Sequence, residues 1–273
     1  MASIGGERAV FLDPAIPAVA YVIGLLQTDG SHEGSLDGKG RISLELAVRD
    51  ENVLLQVADI LPCYSSIGRR SRSTNFADHS ETATLRFYDR GTRQALANLG
   101  VPVGRKARHI EPPAQPFARA DYLRGLLDGD GSIGFTRKGE PFISFVTASP
   151  TAAEFFCRAV RDVCGVERSC RPNQRDGVCN VMVLNRAAAQ LAAWAWCEPV
   201  VIGIERKRAA AALVAQWSPP AAKEGRYGVT RKQWTAADDD VVLEHSPTVA
   251  AGLLGRTVSS VSARRWRLRR EMV

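Results

Sequence analysis

Two phrases, "YVIGLLQTDGSHEG" at residues 21–34 and "YLRGLLDGDGSIGF" at residues 122–135, are variants of one pattern set about a hundred positions apart. Each carries an aromatic residue, an apolar helical turn interrupted by glycine, then an acid, a glycine and a serine. Glycine inside a helix is roughly 1 kcal/mol worse than alanine. Its recurrence as Gly24 and Gly125 therefore implies a close approach of two helix backbones that offsets this loss. Asp29 and Asp130 fall at the C-terminal ends of these helices, where the macrodipole disfavours negative charge, and each precedes a glycine suited to a left-handed cap. An acid there needs a compensating cation. If the helices pack through their glycines, the carboxylates become neighbours, and such a pair can hold Mg²⁺, a hard cation that prefers oxygen ligands.

The order of elements after each phrase is repeated too. Beyond the first, Ile42, Leu44 and Leu46 alternate as in a half-buried strand, and "DENVLLQVADIL" has helical spacing with Asp50 as N-cap. "CYSSIGRRSRS" and "TATLRFYD" read as strands, and "RGTRQALANLG" as a helix closed by Gly100. Beyond the second phrase, "PFISFVTASP" is a strand, a helix opens at Ser149 and Pro150, "GVCNVMVLN" is another strand, and "RAAAQLAAWAW" is the closing helix. The proline-rich "IEPPAQPF" is a short linker between the copies. This organisation gives a first repeat over 1–110, a second over 111–222 and a third segment over 223–273.

The third segment reads as three short helices. Thr235 and Asp238 cap the first after Trp234, the second runs from Pro247 to a stop at Gly255, and Thr257 caps the third. Val258, Val261 and Leu268 form the expected inward stripe, while Arg264, Arg265, Arg267, Arg269 and Arg270 make the last helix basic. A basic helix after a short glycine turn is how helix-turn-helix modules enter a major groove. The segment holds ten Lys/Arg against six Asp/Glu, four of the chain's seven net positive charges. That balance suits an anionic partner such as nucleic acid.

Other classes are disfavoured. No run of eighteen uncharged apolar residues exists and the N-terminus lacks a signal-peptide pattern, so no membrane association and a cytoplasmic location are expected. The six cysteines show neither C-x-x-C spacing nor partnering histidines, which argues against a zinc site or a disulfide framework.

"VIGLLQTDG" and "LRGLLDGDG" resemble the paired signature helices of the LAGLIDADG homing endonucleases in their single-chain, two-repeat form, over residues from about 15 to 216. "FISFVTASPTAAEFF" and "LGVPVGRKA" support the resemblance, and the C-terminal segment resembles Myb/SANT-like three-helix DNA-binding domains. The resemblance implies an α+β fold of two αββαββα repeats around a pseudo-two-fold, forming a saddle over double-stranded DNA. It also implies a core that is monomeric through its internal symmetry. Asp29 and Asp130 would bind Mg²⁺ for a staggered cut, and Lys106 and Lys207 match the family's peripheral lysine, although both also suit ordinary basic turns. Gln27 stands where the second copy has Asp128, so the half-sites are expected to differ. Among strand residues, Arg41, Arg69, Arg70, Arg72, Arg86, Arg137, Lys138 and Arg168, and in the tail Arg264, Arg265 and Arg267, are the expected DNA contacts. The alternatives are a non-cleaving DNA-binding transcription regulator and an RNA maturase.

Overall fold

The computed structural model of the chain describes residues 12–74, 77–197, 199, 202–220 and 234–271. It divides into two units, one ending at Tyr227 and one starting at Gly228. The boundary expected at residue 222/223 lies outside the described residues.

The first half of the larger unit runs α1 (Pro17–Thr28), β1 (Gly30–Gly34), β2 (Gly40–Ala47), α2 (Glu51–Ile60), β3 (Ser65–Thr74), β4 (Ala77–Phe87) and α3 (Arg90–Asn98), the αββαββα order expected. Its antiparallel sheet has the order β1-β2-β4-β3. Ile42 pairs with His32 and Phe87, and Leu44 with Gly30 and Leu85. Because strand side chains alternate, this register turns Ile42, Leu44, Leu46, Ala83, Leu85 and Phe87 together onto the buried face. Asp50 stands at the N-cap position of α2 without bonding the helix backbone. Its carboxylate instead accepts from Arg206 Nε at 3.1 Å and Nη2 at 3.0 Å, a forked contact from the second half of the chain.

The second half runs α4 (Arg119–Asp130), β5 (Gly131–Phe135), β6 (Pro141–Thr147), α5 (Pro150–Cys164), β7 (Cys179–Leu184), α6 (Asn185–Ala195) and α7 (Glu205–Ala215). Here the expected αββαββα order fails, because the sheet has three strands, β5-β6-β7, and residues 165–178 form a loop where the first half has β3. The local chemistry explains the loss. Gly165 ends α5 in the left-handed region at φ 64°, and Pro172 offers no N–H to a ladder. Asn173 Oδ1 accepts from the backbone of Arg175 and Asp176, folding the segment into a local turn. The loop is fastened by a Cys170–Cys179 disulfide with Cα atoms 5.8 Å apart, which corrects the expectation that the cysteines form no bridge. Sequence spacing missed it because a loop brings together two residues that carry no motif.

In the C-terminal unit, α8 (Ala236–Glu244), α9 (Pro247–Leu254) and α10 (Val258–Glu271) close around Val242, Ala250, Ala251 and Val261. Thr235 and Asp238 form a capping box, and Gly255 ends α9 at φ 59°. Leu268 packs against this core, but Val258, expected to do so, is 45% exposed at the first residue of α10. So small a core covers only the middle turns of the helix.

Candidate functional site

α1 and α4 are buried along nearly their whole lengths, from Val19 to Gln27 and from Tyr122 to Asp128. α1 is apolar on nearly all sides, as a helix at the centre of a core should be, while α4 buries Arg124 and Asp128 by satisfying them with internal partners, and the two helices pack on each other. A Cβ added to Gly24 would lie 2.4 Å from the Tyr122 carbonyl oxygen and 2.9 Å from Leu126 N. A Cβ added to Gly125 would lie 2.3 Å from the Tyr21 carbonyl oxygen and 2.9 Å from Leu25 N. The contacts are reciprocal, residue for residue, at a constant offset of 101 positions. The same reciprocity governs the side chains at the next turn. The Tyr21 hydroxyl donates to Asp128 Oδ2 at 2.8 Å, and the Tyr122 hydroxyl donates to Gln27 Oε1 at 2.6 Å.

Gln27 and Asp128 thus occupy equivalent positions and do different work. Gln27 Nε2 donates to the carbonyls of Gly100 and Glu111, whereas Asp128 Oδ2 accepts from the backbone N–H of Ile204 at 2.8 Å. Beside Asp128 the buried Arg124 donates to the carbonyls of Ile202 and Ala195, pairs with Asp121 at 2.5 Å, and lies 5.5 Å from the Tyr21 ring centroid. Each residue at this position ties its central helix to the segment that carries its own repeat's lysine.

Those lysines supply the cations that the helix ends require. Lys106 Nζ donates to the carbonyls of Leu26 at 2.9 Å and Thr28 at 2.5 Å. Lys207 Nζ donates to those of Leu127 and Asp128 at 2.7 Å and Gly131 at 2.9 Å. They satisfy the terminal carbonyls that a left-handed glycine cap would otherwise serve. Gly30 and Gly131 accordingly do not adopt positive φ, contrary to expectation. They are required for closeness instead, since a Cβ on either would lie within 2.6 Å of the Leu26 or Leu127 carbonyl oxygen.

Asp29 caps α1 and Asp130 is the last residue of α4, both open to solvent on one side and crowded by protein on the other. Gly129 makes room for their meeting: a Cβ there would lie 2.0 Å from Thr28 Oγ1 and 3.3 Å from Asp29 Oδ2. Sequence reasoning overlooked this glycine and the crossed tyrosines, although "DGDG" displayed the former. Crowding first, then the Asp130 charge, raises Asp29 to about 6, against the opposing pull of Lys106 and Lys207. Crowding also raises Asp130, while desolvation lowers Lys106 to about 8 and pushes Lys207 down as well. Two crowded acids, both raised by burial and one raised further by the other's charge, form a site that favours an added cation. Among the described residues no cluster of three or more His, Cys, Asp or Glu side chains is arranged for a metal. Any ion held by Asp29 and Asp130 would therefore complete its shell with carbonyl, water or phosphate oxygen.

The first sheet presents a polar outer face. Rows across it join Ser31, Ser43, Arg86 and Ser66, then Glu33 with Arg41, and then Thr82 with Arg70. Arg41 pairs with Glu33 at 2.8 Å. Arg69 alternates to the opposite face, where Glu51 of α2 accepts from its Nε at 2.9 Å and Nη2 at 2.5 Å, so this expected DNA contact is turned away from the others. The side chain of Arg72 lies outside the described residues. Arg137 and Lys138 are exposed on the β5–β6 turn, and Arg168 donates to the carbonyls of Met182 and Glu167. In the C-terminal unit two more expected contacts are engaged internally. Arg264 forks onto Asp239 at 2.7 and 2.6 Å, and Arg265 donates to the carbonyls of Val242 and His245. Arg267 is exposed.

Residues 118–193 match the sequence profile described as a LAGLIDADG-like domain. A search of curated proteins finds no match. Among solved structures, the chain is similar in fold to the homing endonuclease I-WcaI bound to its DNA recognition sequence, at 10% identity and TM-score 0.45 over 66% of this chain and 80% of that one. It is similar to the I-LtrWI LAGLIDADG homing endonuclease bound to target DNA, at 9% identity and TM-score 0.42 over 73% and 90%. Full-length DUF199/WhiA from Thermatoga maritima is similar at 10% identity and TM-score 0.43 over 94% and 92%.

Proposed function

We propose that the chain is a site-specific endonuclease acting on double-stranded DNA with Mg²⁺, a single-chain homing enzyme whose C-terminal helix-turn-helix unit adds affinity. The observation that carries this reading is the pair of carboxylates, Asp29 and Asp130, without an ion-pair partner among the described residues and gathered at the ends of two helices by reciprocal glycine contacts. A structural pair would be neutralised by arginine; here burial raises the proton affinity of both acids and the Asp130 charge raises that of Asp29 further, which suits a site that takes up a cation. Asp29 and Asp130 would hold the metal, which when bound supplies an activated water and charge stabilisation for the leaving oxygen. The chain's own groups do the rest. Lys106 and Lys207 hold the helix ends in place and add positive potential beside the scissile phosphates. Tyr21 and Tyr122 lock the helices in register, and Arg41, Arg70 and Arg86 face the duplex from the first sheet. Because the duplication provides both acids, one chain suffices for two strands.

A second reading, a DNA-binding regulator that does not cut, is favoured by one observation: both lysine ammonium groups donate to helix carbonyls, leaving no free amine as a base. One experiment separates the readings. Full-length protein is incubated with Mg²⁺ and a library of duplexes, and cutting and binding are scored together. The enzyme reading expects double-strand breaks that Asp130→Asn lowers by at least about 100-fold while affinity stays within a few-fold. Binding without cutting leaves the regulator, and absence of duplex binding overturns both.

A further inference from the structure

The two sheets belong to equivalent halves of the duplication, yet their outer faces carry opposite chemistry. The strands β5, β6 and β7 contain no Asp, Glu, Lys or Arg at all. Their register turns Ile143, Phe145, Val181 and Val183 to the buried side and joins Ser132, Ser144 and Met182 in one row of the outer face, with Val146 opposite Asn180 in the next. Val146 is 40% and Met182 44% exposed, and Asn180 is exposed beside them. The equivalent face of the first sheet carries Arg41, Arg70 and Arg86 with Glu33 and Glu45.

In a major groove, arginine reads guanine O6 and N7, a carboxylate accepts from cytosine N4, asparagine reads adenine N6 and N7, and apolar groups contact the thymine methyl. The first sheet therefore holds arginine and carboxylate readers for G·C pairs that the second lacks, whereas the second holds Asn180, Val146 and Met182, which favour A·T pairs, beside serines that serve either. Resting on the proposal that duplex DNA lies across both sheets, we infer that the target is asymmetric, with an A·T-rich half-site under β5–β7 and a G·C-containing half-site under β1–β4. The surroundings favour DNA over a protein partner for this face. Exposed Arg137 and Lys138 stand on the β5–β6 turn at one end of these uncharged strands, and exposed Arg171 stands on the 165–178 loop that enters β7 at the other. A groove floor between two phosphate strands has that pattern.

Selection from a randomised duplex pool by full-length protein in EDTA, followed by sequencing, tests this. The bound pool is expected to be A·T-enriched on one side of the centre only. Asn180→Ala and Met182→Ala, both at exposed positions outside the acid site, should level base preference at one or two positions of that side. Each should weaken binding to the selected duplex by about ten-fold. Met182→Arg should shift one position toward guanine. Equal composition on the two sides, or an unchanged preference in Asn180→Ala with its fold intact by circular dichroism, overturns the inference while leaving the proposed function standing. A dimer of this chain that Met182→Arg dissociates, or a bound protein that it releases, likewise overturns it. Failure to retain any duplex overturns the underlying reading as well.

Discussion

Alanine at Gly24 or Gly125 tests the helix pair directly, because the smallest side chain already overlaps backbone. The added Cβ would sit 2.3–2.4 Å from a carbonyl oxygen of the other helix, whereas ordinary contact begins near 3.4 Å. Backbone on a buried helix cannot rotate away, so the two axes must part by about 1 Å, a gap that forfeits a quarter to a half of the dispersion well of each contact across the seam. Overpacking of this kind costs about 3 kcal/mol at the upper end of its usual range, offset by the ~1 kcal/mol that alanine gains over glycine in a helix. The net expectation is ~2 kcal/mol of destabilisation for each variant, a fall of roughly 4–8 °C in melting temperature for a domain of this size. The two contacts share one seam, so a separation forced by the first alanine accommodates the second. The double variant should then lose at least ~1 kcal/mol less than the sum of the singles. Gly252→Ala in α9, where nothing lies within 4 Å of the added Cβ, is the control and should be neutral or stabilising. Calorimetry of the parent and these four variants decides: singles as stable as the parent, or a strictly additive double, would refute the close-packed pair.

The charges set two further outcomes. Asp29 is raised from 3.8 to about 6, so between these values the folded state binds more protons than the unfolded one, and metal-free stability should fall as pH rises through that window. Asp130 acts in the same direction. Mg²⁺ at pH 7 should raise the melting temperature, and Asp29→Asn should flatten both the pH slope and the Mg²⁺ response; a Mg²⁺ shift retained in that variant places the ion elsewhere. Ending the chain at residue 220 should lower the salt dependence of binding by about two to three units in log–log slope, at roughly 0.9 per phosphate contact. Of the five arginines that make α10 basic, Arg264 and Arg265 are occupied within the C-terminal unit, and the expected slope counts Arg267, Arg269 and Arg270 as its phosphate contacts. An identical slope in full-length and shortened protein would remove the tail from the interface.

The central helices were legible from sequence because glycine within an apolar helix has few uses, and two at one offset have fewer. The acids came from the same phrase. Less legible was how each acid's helix ends, since the lysines that satisfy the carbonyls stand about eighty positions away along the chain, at Lys106 and Lys207. Local pattern supplies the left-handed glycine cap as the default, and tertiary contact replaced it. Of the expected strand contacts, Arg41, Arg69, Arg70, Arg72 and Arg86 do lie on strands of the first sheet, whereas Arg137 and Lys138 fall on a turn and Arg168 in a loop. Facing depends on register, and a one-residue step puts Arg69 onto Glu51 while Arg70 stays on the open face.

The divergence between the repeats has a physical pattern of its own. Where α1 has Thr28, α4 has Gly129, and the vacated side chain is what lets Thr28 and Asp29 approach the second helix. Where α1 has the neutral Gln27, α4 has the buried Asp128, and Arg124 stands near that carboxylate, bonded to Asp121 and to the Ile202 and Ala195 carbonyls. A homodimer must repeat every exchange on both sides, so neither compensation is open to it: two glycines would leave the seam unfilled, and two buried acids would need two buried arginines. A duplicated single chain can place each change once and answer it in the other copy. The second half likewise carries the Cys170-tethered loop where the first half has β3, and both halves still contribute to one core. Asymmetry at the level of the fold extends to the outer faces too, where the first sheet carries Arg41, Arg70, Arg86, Glu33 and Glu45 and the strands of the second carry no charged residue.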